Sequence, residues 1–440
     1  DPSDYDNNMR SIISSNVSVD ALLAGRVDTS RLKDSNVCLT ANGQFFRRDK
    51  QGFMPEMVEK MFADRKVYKK EMLDAEKAYQ NEKDPEKRKE LKNKIAKYNN
   101  LQLSKKVSLN SLYGAMGSKY FRFFDLRQAI AVTTTGQLSI RWVEKRINAY
   151  LNKVLKADDD YVIAIDTDSV YLNLDKIVGA TIGQTEASTD RKIAYLDKIC
   201  EAKIQPVIDK AFADLGTYIN VFQQKLVMKR EVLCDKAIWT GKKRYILNVH
   251  NSEGVQYAQP KVKVKGLEMI KSSTPSSCRD KLKESIDVIL NENEDAMYRF
   301  IENYRAEFES LPLSEISFPR GINGLVKYSD RETIYASGTP IHVRGALIYN
   351  HFLRSNDLTS KYPLIQNGEK LKYIYLKEPN TIQSNIISFP GSGLPEELDL
   401  HKYIDYNTQF DKSFLEPLKI ILDAIGWKTE QTSSLEDFFS

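Results

Sequence analysis

Asp166 and Asp168 stand one residue apart inside YVIAIDTDSVYLNLD (161–175), an apolar stretch that otherwise reads as strand. A carboxylate drawn into an apolar setting is costly unless a partner compensates it. The flanks VIAI and VYLNL suit two strands of a hairpin with DTDS at its tip, where both side chains could reach one point. Two carboxylates that close repel each other unless a cation lies between them. Oxygen donors alone favour a hard divalent ion such as magnesium. An ordinary polar turn is the other reading of the same residues.

A second constellation is basic. Arg65 and Lys69 lie four residues apart in a segment of helical periodicity, and Lys106, Asn110 and Tyr113 recur at i, i+4 and i+7 in another. If the two segments form an antiparallel pair that turns near Asp84, both sets sit at its open end. Three cations and an amide gathered there would suit a polyphosphate, arginine as a planar fork and lysine as a point charge. A solvated basic surface would use the same residues.

The elements that must position these groups follow from periodicity and turn signals. Residues 8–35 mix short helical and loop signals, and 36–53 read as a hairpin about Asn42-Gly43. Helical patterns cover 55–81 and about 85–113, the latter with an irregularity at Asn99-Asn100, and Asp84 and Pro85 suit the N-cap and first position of the second helix. Further helix is expected over 123–156, 189–215 and 275–310, with strand-like pieces over 225–268. The last ~130 residues are mixed. This order is not a regular βαβ alternation, which argues for α+β and against a Rossmann-type sheet.

Composition sets outer bounds. The 440 residues are 41% hydrophobic and 28% charged, the balance of a folded globular protein of several packed units. No apolar run approaches the ~20 residues of a membrane-spanning helix. Cys38, Cys200, Cys234 and Cys278 are scattered without a CxxC pair, which disfavours structural zinc and a disulfide framework and fits a cytoplasmic setting. Net charge is only +5, but lysine and arginine crowd 65–106 and 261–271. The chain begins at Asp1 rather than Met, which suits a processed product, one half of a split protein or a fragment.

KVSLNSLYG (106–114) and DTDS (166–169), in that order, resemble two core motifs of family B DNA polymerases. RKVYK (65–69), KREV (229–232), TGKKRYILN (240–248) and KGLEMIKSSTP (265–275) are similar to further segments of that family, with wording near the T-even bacteriophage branch. DYDNNMRSII (4–13) aligns without a gap on its first palm motif. The resemblance implies an α+β right-hand polymerase: an antiparallel-sheet palm (1–54 and 114–271), helical-hairpin fingers (55–113) and a mixed, largely helical thumb (272–432). It implies DNA-directed DNA synthesis with two magnesium ions. Asp4, Asp166 and Asp168 would be catalytic, Asp4 and Asp168 holding metal with Glu231 as accessory carboxylate. Asp6 rivals Asp4 for that role. Arg65, Lys69, Lys106, Asn110 and Tyr113 would bind the nucleotide, with Met9 in the place of the tyrosine that excludes ribonucleotides, which raises relaxed sugar choice. Gly114, Lys242, Lys243, Arg244, Tyr245 and Lys265 would meet DNA. SSLEDFFS (433–440) resembles a sliding-clamp peptide anchored by Leu435, Phe438 and Phe439.

The partners implied are primer–template DNA, deoxynucleoside triphosphates, a sliding clamp and an N-terminal or exonuclease polypeptide in trans, with no membrane and, for a phage protein, the cytoplasm of the infected host. The chain begins at the first palm motif, with no proofreading site expected within it. A non-catalytic DNA- or clamp-binding subunit is the alternative from another class.

Overall fold

The computed structural model describes residues 5–182 and 187–430. Asp4 and the expected clamp anchors Leu435, Phe438 and Phe439 lie outside the described residues. The chain forms two compact units, Asp1–Asp235 with Asn248–Lys261, and Lys236–Leu247 with Val262–Ser440. Helices and small sheets are mixed as an α+β chain requires. Among the described residues no helix is long and apolar enough to cross a membrane.

The first unit begins with α1 (Asn7–Ser14) and α2 (Val19–Leu23). The hairpin expected about Asn42-Gly43 is present as β1 (Val37–Leu39) and β2 (Phe45–Arg47), paired antiparallel. Gly43 closes it at φ +78°, a conformation that favours glycine. Two long helices follow, α3 (Phe53–Asn81) and α4 (Pro85–Met116). They pack against each other, and the turn between them works as the sequence suggested. The Asp84 side chain accepts the Glu86 N–H at 2.9 Å, and Pro85 takes the first helical position, where a missing N–H costs nothing. The irregularity expected at Asn99-Asn100 is absent, and α4 runs straight through. Both residues sit in mid-helix, where low propensity costs only tenths of a kcal/mol per residue, about what neighbouring turns supply.

α5 (Leu126–Leu155) organises the unit. At its middle Leu138 joins a core cluster with Ile12, Leu22, Leu32, Leu39, Leu215 and Ile219. Further along, Val143, Ile147 and Leu151 join a second cluster with Tyr161, Val162, Phe212 and Leu233. Trp142 packs against both. Leu138 and Leu151 are thirteen residues apart, about 20 Å of helix. One rigid rod therefore carries α1 against its middle and, towards its C-terminal end, the hairpin of β3 (Val162–Asp166) and β4 (Ser169–Leu172). α6 (Asp175–Ile182) follows.

The helix expected over 189–215 is present from Thr189 to Tyr218, α7 (Thr189–Ile199) and α8 (Gln205–Tyr218) continuing one into the other through a π turn at Cys200–Ile204. Pro206 is the reason. It has no N–H to give its own turn, and the wider turn absorbs the defect.

Three strands, β5 (Val232–Gly241), β6 (Arg244–Ser252) and β7 (Val255–Lys265), form one sheet in that order. Two-residue turns join them, which only antiparallel neighbours permit. Asp235, Leu247 and Lys261 mark where each strand passes from one unit to the other.

In the second unit the expected helix over 275–310 is broken into α9 (Ser276–Asn291) and α10 (Glu294–Phe308), because Asn293 caps the second by accepting the Ala296 N–H at 3.0 Å. Tyr304 and Phe308 stack edge-on with Phe410 and Phe414 in the core. A helix at Ile341–Ser355 lies on an antiparallel sheet whose central strand, Lys370–Tyr375, pairs with Ile386–Phe389 and Phe318–Gly321. Gly345 permits this approach: a Cβ there would lie 2.5 Å from Ser388 Oγ.

Candidate active site

The paired aspartates occupy the tip of the β3–β4 hairpin. Asp166 pairs in register with Ser169, leaving Thr167-Asp168 as a two-residue turn. Thr167 takes φ +59°, the left-handed conformation such turns require. The Asp168 N–H returns to the Asp166 carbonyl at 2.7 Å, and the Ser169 hydroxyl donates to the same carbonyl at 3.1 Å. The Thr167 hydroxyl donates to Asp166 Oδ1 at 3.1 Å.

The burial that an apolar run suggests is not what the tip experiences. Asp166 is half-buried and Asp168 exposed. Tyr161 and Val162 turn into the core, while Ile163 is 51% and Ile165 36% exposed. A tip this open to solvent lowers the cost of the two carboxylates, so burial is not what calls for a cation there. Their acceptor-only oxygens at an open turn still suit a hard cation. Among the described residues no group of three or more His, Cys, Asp or Glu could hold a metal, and the expected third carboxylate, Asp4, falls outside that set.

The neighbourhood of the first motif is better defined. Asp6 caps α1, its Oδ1 accepting the Met9 N–H at 2.8 Å. The Ser35 hydroxyl and that N–H hold the Asp6 carboxyl below the usual carboxylate range. Asp6 thus has a structural task of its own. Met9 is half-buried and packs on the cluster of Ile12, Leu22 and Leu138. Glu231 is exposed, and Met228 and Leu233 beside it pack into the cluster that also holds Val162, Val170 and Leu172.

On α4, Lys106, Asn110 and Tyr113 are all exposed along one stripe. Gly114 follows in the last turn of α4, two residues before its end at Met116. Nothing lies within 4 Å of where its Cβ would stand, so packing in the protein gives no reason for it. On α3, Arg65 is half-buried, with its Nε enclosed and without a hydrogen-bond partner. Lys105, next to Lys106, is taken up by Asp64 at 2.8 Å, which joins α3 to α4 and raises the lysine's pKa.

Lys69 is engaged. Its Nζ lies 2.5 Å from Glu253 Oε1, on the turn between β6 and β7. The side chains are 33% and 25% exposed, so the pair contributes on the order of 1 kcal/mol or less. Glu253 was not foreseen from sequence. Ser252-Glu253-Gly254 reads only as a tight turn between two strand-like runs, and nothing local links it to a lysine 184 positions away.

In the second unit, two segments singled out in the sequence meet. Lys242 and Lys243 form the exposed turn from β5 to β6. A Cβ on Gly266, at φ +68°, would lie 2.2 Å from the Lys243 carbonyl oxygen, so KKRY and KGLEM are locked together by a residue without a side chain. Lys265 beside it is exposed. The remaining two residues of KKRY point elsewhere. Arg244 pairs with Glu268 at 2.7 Å, and Tyr245 is 4% exposed with its ring tilted against Trp239.

Comparisons with known proteins bear on these placements. The model of DNA polymerase family B matches residues 10–401, beginning after Asp4, Asp6 and Met9. Over 447 aligned residues the chain is 31% identical to the DNA-directed DNA polymerase of Escherichia phage RB69, covering 90% of the chain and 49% of that protein. The DNA-directed DNA polymerase of Enterobacteria phage T4 matches equally, at 31% over the same shares. A DNA polymerase beta of African swine fever virus is 25% identical over 51% of the chain and 18% of its own length. The chain spans about half the length of the phage relatives.

Proposed function

Because the chain belongs to DNA polymerase family B, we propose that it carries out template-directed DNA synthesis, adding deoxynucleoside triphosphates to the 3′-hydroxyl of a primer. The observation that carries this reading is the tight β3–β4 turn that presents Asp166 and Asp168 to solvent, on a core shared with the Glu231 segment. In this reading β3–β4, the first 54 residues and 114–271 are the palm, α3 and α4 within 55–113 the fingers, and 272–432 the thumb. The terminal peptide 433–440 is the proposed sliding-clamp anchor.

Asp4 and Asp168 would hold two divalent cations, with Asp166 beside them and Glu231 as accessory carboxylate. Magnesium fits an oxygen-only donor set. Bound there, such ions lower the pKa of an attacking hydroxyl and neutralise a leaving pyrophosphate. Asp6 is set aside as a ligand, because its carboxylate caps α1. Arg65, Lys69, Lys106 and Asn110 grip the triphosphate. The exposed edge of Tyr113 and the bare surface at Gly114 let the nascent base pair approach α4. Lys242, Lys243 and Lys265 contact the duplex through phosphates, while Arg244 and Tyr245 hold the turn that presents them.

Primer extension with magnesium by the wild-type protein and by Asp168→Ala tests the proposal. Asp168 is exposed at a turn, so the variant folds. Loss of extension with DNA binding retained is expected. Extension by the variant at the wild-type rate would overturn the catalytic reading and leave a DNA- or clamp-binding subunit. Comparing deoxy- with ribonucleotides in the same assay reads the sugar selection left by Met9.

A further inference from the structure

We propose that Glu253 is a built-in competitor of the nucleotide's triphosphate: its carboxylate occupies Lys69 and must be displaced before the lysine can bind phosphate. The inference rests on the reading of Lys69 given above. It starts from the ion pair itself, 2.5 Å between Nζ and Oε1, made by a side chain on α3 that lies four residues from Arg65 on the same helical face.

The carboxylate side of the pair is held rigidly. Glu253 donates its backbone N–H to the Glu231 carbonyl at 2.6 Å. The Gly254 N–H donates to Asn251 Oδ1 at 3.2 Å, and Arg230 donates to the same oxygen at 2.6 Å. Arg230 also pairs with Asp197 on α7. The turn is therefore fixed to the segment that carries Glu231, on the candidate palm. A second tie of the same kind runs from Lys261 on β7 to Glu76 on α3, at 3.7 Å.

The backbone adds an independent reason to look for a role. Glu253 takes φ +50° and Gly254 φ +81°. Tight hairpin turns of this kind favour Asn or Asp followed by Gly, and a glutamate in the left-handed region is a costly choice for a turn alone. What the longer acid gains is reach to Lys69.

The consequence is a threshold. A lysine ammonium held by one carboxylate exchanges it for a ligand of higher negative charge, such as a triphosphate. The exchange releases α3 from the β6–β7 turn at the moment the nucleotide is gripped. Glu253 is a positioning residue in this scheme and touches no substrate.

The test is single-nucleotide incorporation by the whole protein with Glu253→Gln and Glu253→Asn, each alone and with Lys69→Ala. Asn suits the left-handed turn, so the second variant keeps the fold if the first does not. The expected result is a fall in nucleotide KM of about threefold, the scale of a partly exposed ion pair, with kcat unchanged. In the Lys69→Ala background the same substitutions should change nothing. An unchanged or raised KM, a fall that persists without Lys69, or KM and kcat falling together would overturn the inference. Asp168→Ala run alongside keeps the two proposals apart: if it still extends primers, the polymerase reading fails, whereas its inactivity with an unmoved Glu253 variant sinks only the competitor.

Discussion

Gly266→Ala should loosen the turn that presents Lys242 and Lys243. The glycine sits at φ +68°, and its missing Cβ would stand 2.2 Å from the Lys243 carbonyl oxygen and 3.2 Å from Arg244 Cγ. Alanine at a positive φ costs about 1 kcal/mol, and forcing a methyl group into a filled space adds roughly 1–3 kcal/mol. The obstacle is backbone, so no side chain can simply swing away. A loss of about 2–4 kcal/mol from a unit of this size corresponds to a melting temperature lower by about 4–16 °C. Trp239 lies on the adjoining strand with its ring tilted against Tyr245, so tryptophan fluorescence reports the transition. Gly368→Ala is the control: it has φ +88° but nothing within 4 Å, so it bears the conformational cost without the clash and should lose only about 2–4 °C. The Gly266 variant should also bind primer–template more weakly. Equal melting of the two variants would refute the claim that the close approach to Lys243 locks these segments together.

Three further outcomes follow from the same structure. Replacing Lys242 or Lys243 by alanine should weaken duplex binding across sequences and reduce the slope of log K against log salt by about one each, measured by fluorescence anisotropy. The Glu397 carboxyl is lowered to about 2 by hydrogen bonds from Lys361 and Tyr362. A lowered acid stabilises the fold above its unfolded value of 4.5 and loses that contribution as pH falls from there towards 2, so Glu397→Gln should flatten acid denaturation in that window only. Burial pushes the Cys200 and Cys234 thiols up to about 11, and Cys38 and Cys278 in the same direction. Native protein should therefore react slowly with a thiol reagent at neutral pH, while denatured protein shows all four cysteines.

The parts of the fold legible in the sequence are those fixed by local signals. Asp84-Pro85 announces the start of α4, and alternating flanks announce the hairpin around Asp166 and Asp168. Where a defect lies inside one periodic run, the reading fails. Asn293 divides one expected helix by capping its second half, whereas the π turn before Pro206 only widens another without ending it. The site was legible as residue types, much less as partnerships. Lys106, Asn110 and Tyr113 form the exposed stripe that their spacing implied. In KKRY, by contrast, a tight turn sends the two lysines outward, and the strand that begins at Arg244 directs the next two residues to Glu268 and Trp239. Glu268 and Glu253 reach their cations only after the chain has folded back, and a window of sequence holds no trace of either contact.

Carboxylates from the start of the chain and from the β3–β4 turn would share the divalent cations of the proposed reaction. The most direct measurement is anomalous diffraction from crystals of the whole protein grown with primer–template and manganese as a stand-in for magnesium. The expected result is a peak with one oxygen of Asp4 and one of Asp168 at about 2.0–2.1 Å, the distance at which magnesium takes its oxygen ligands, and Asp6 still capping α1. A peak bound by Asp6 in place of Asp4, or no ion common to Asp4 and Asp168, would contradict it.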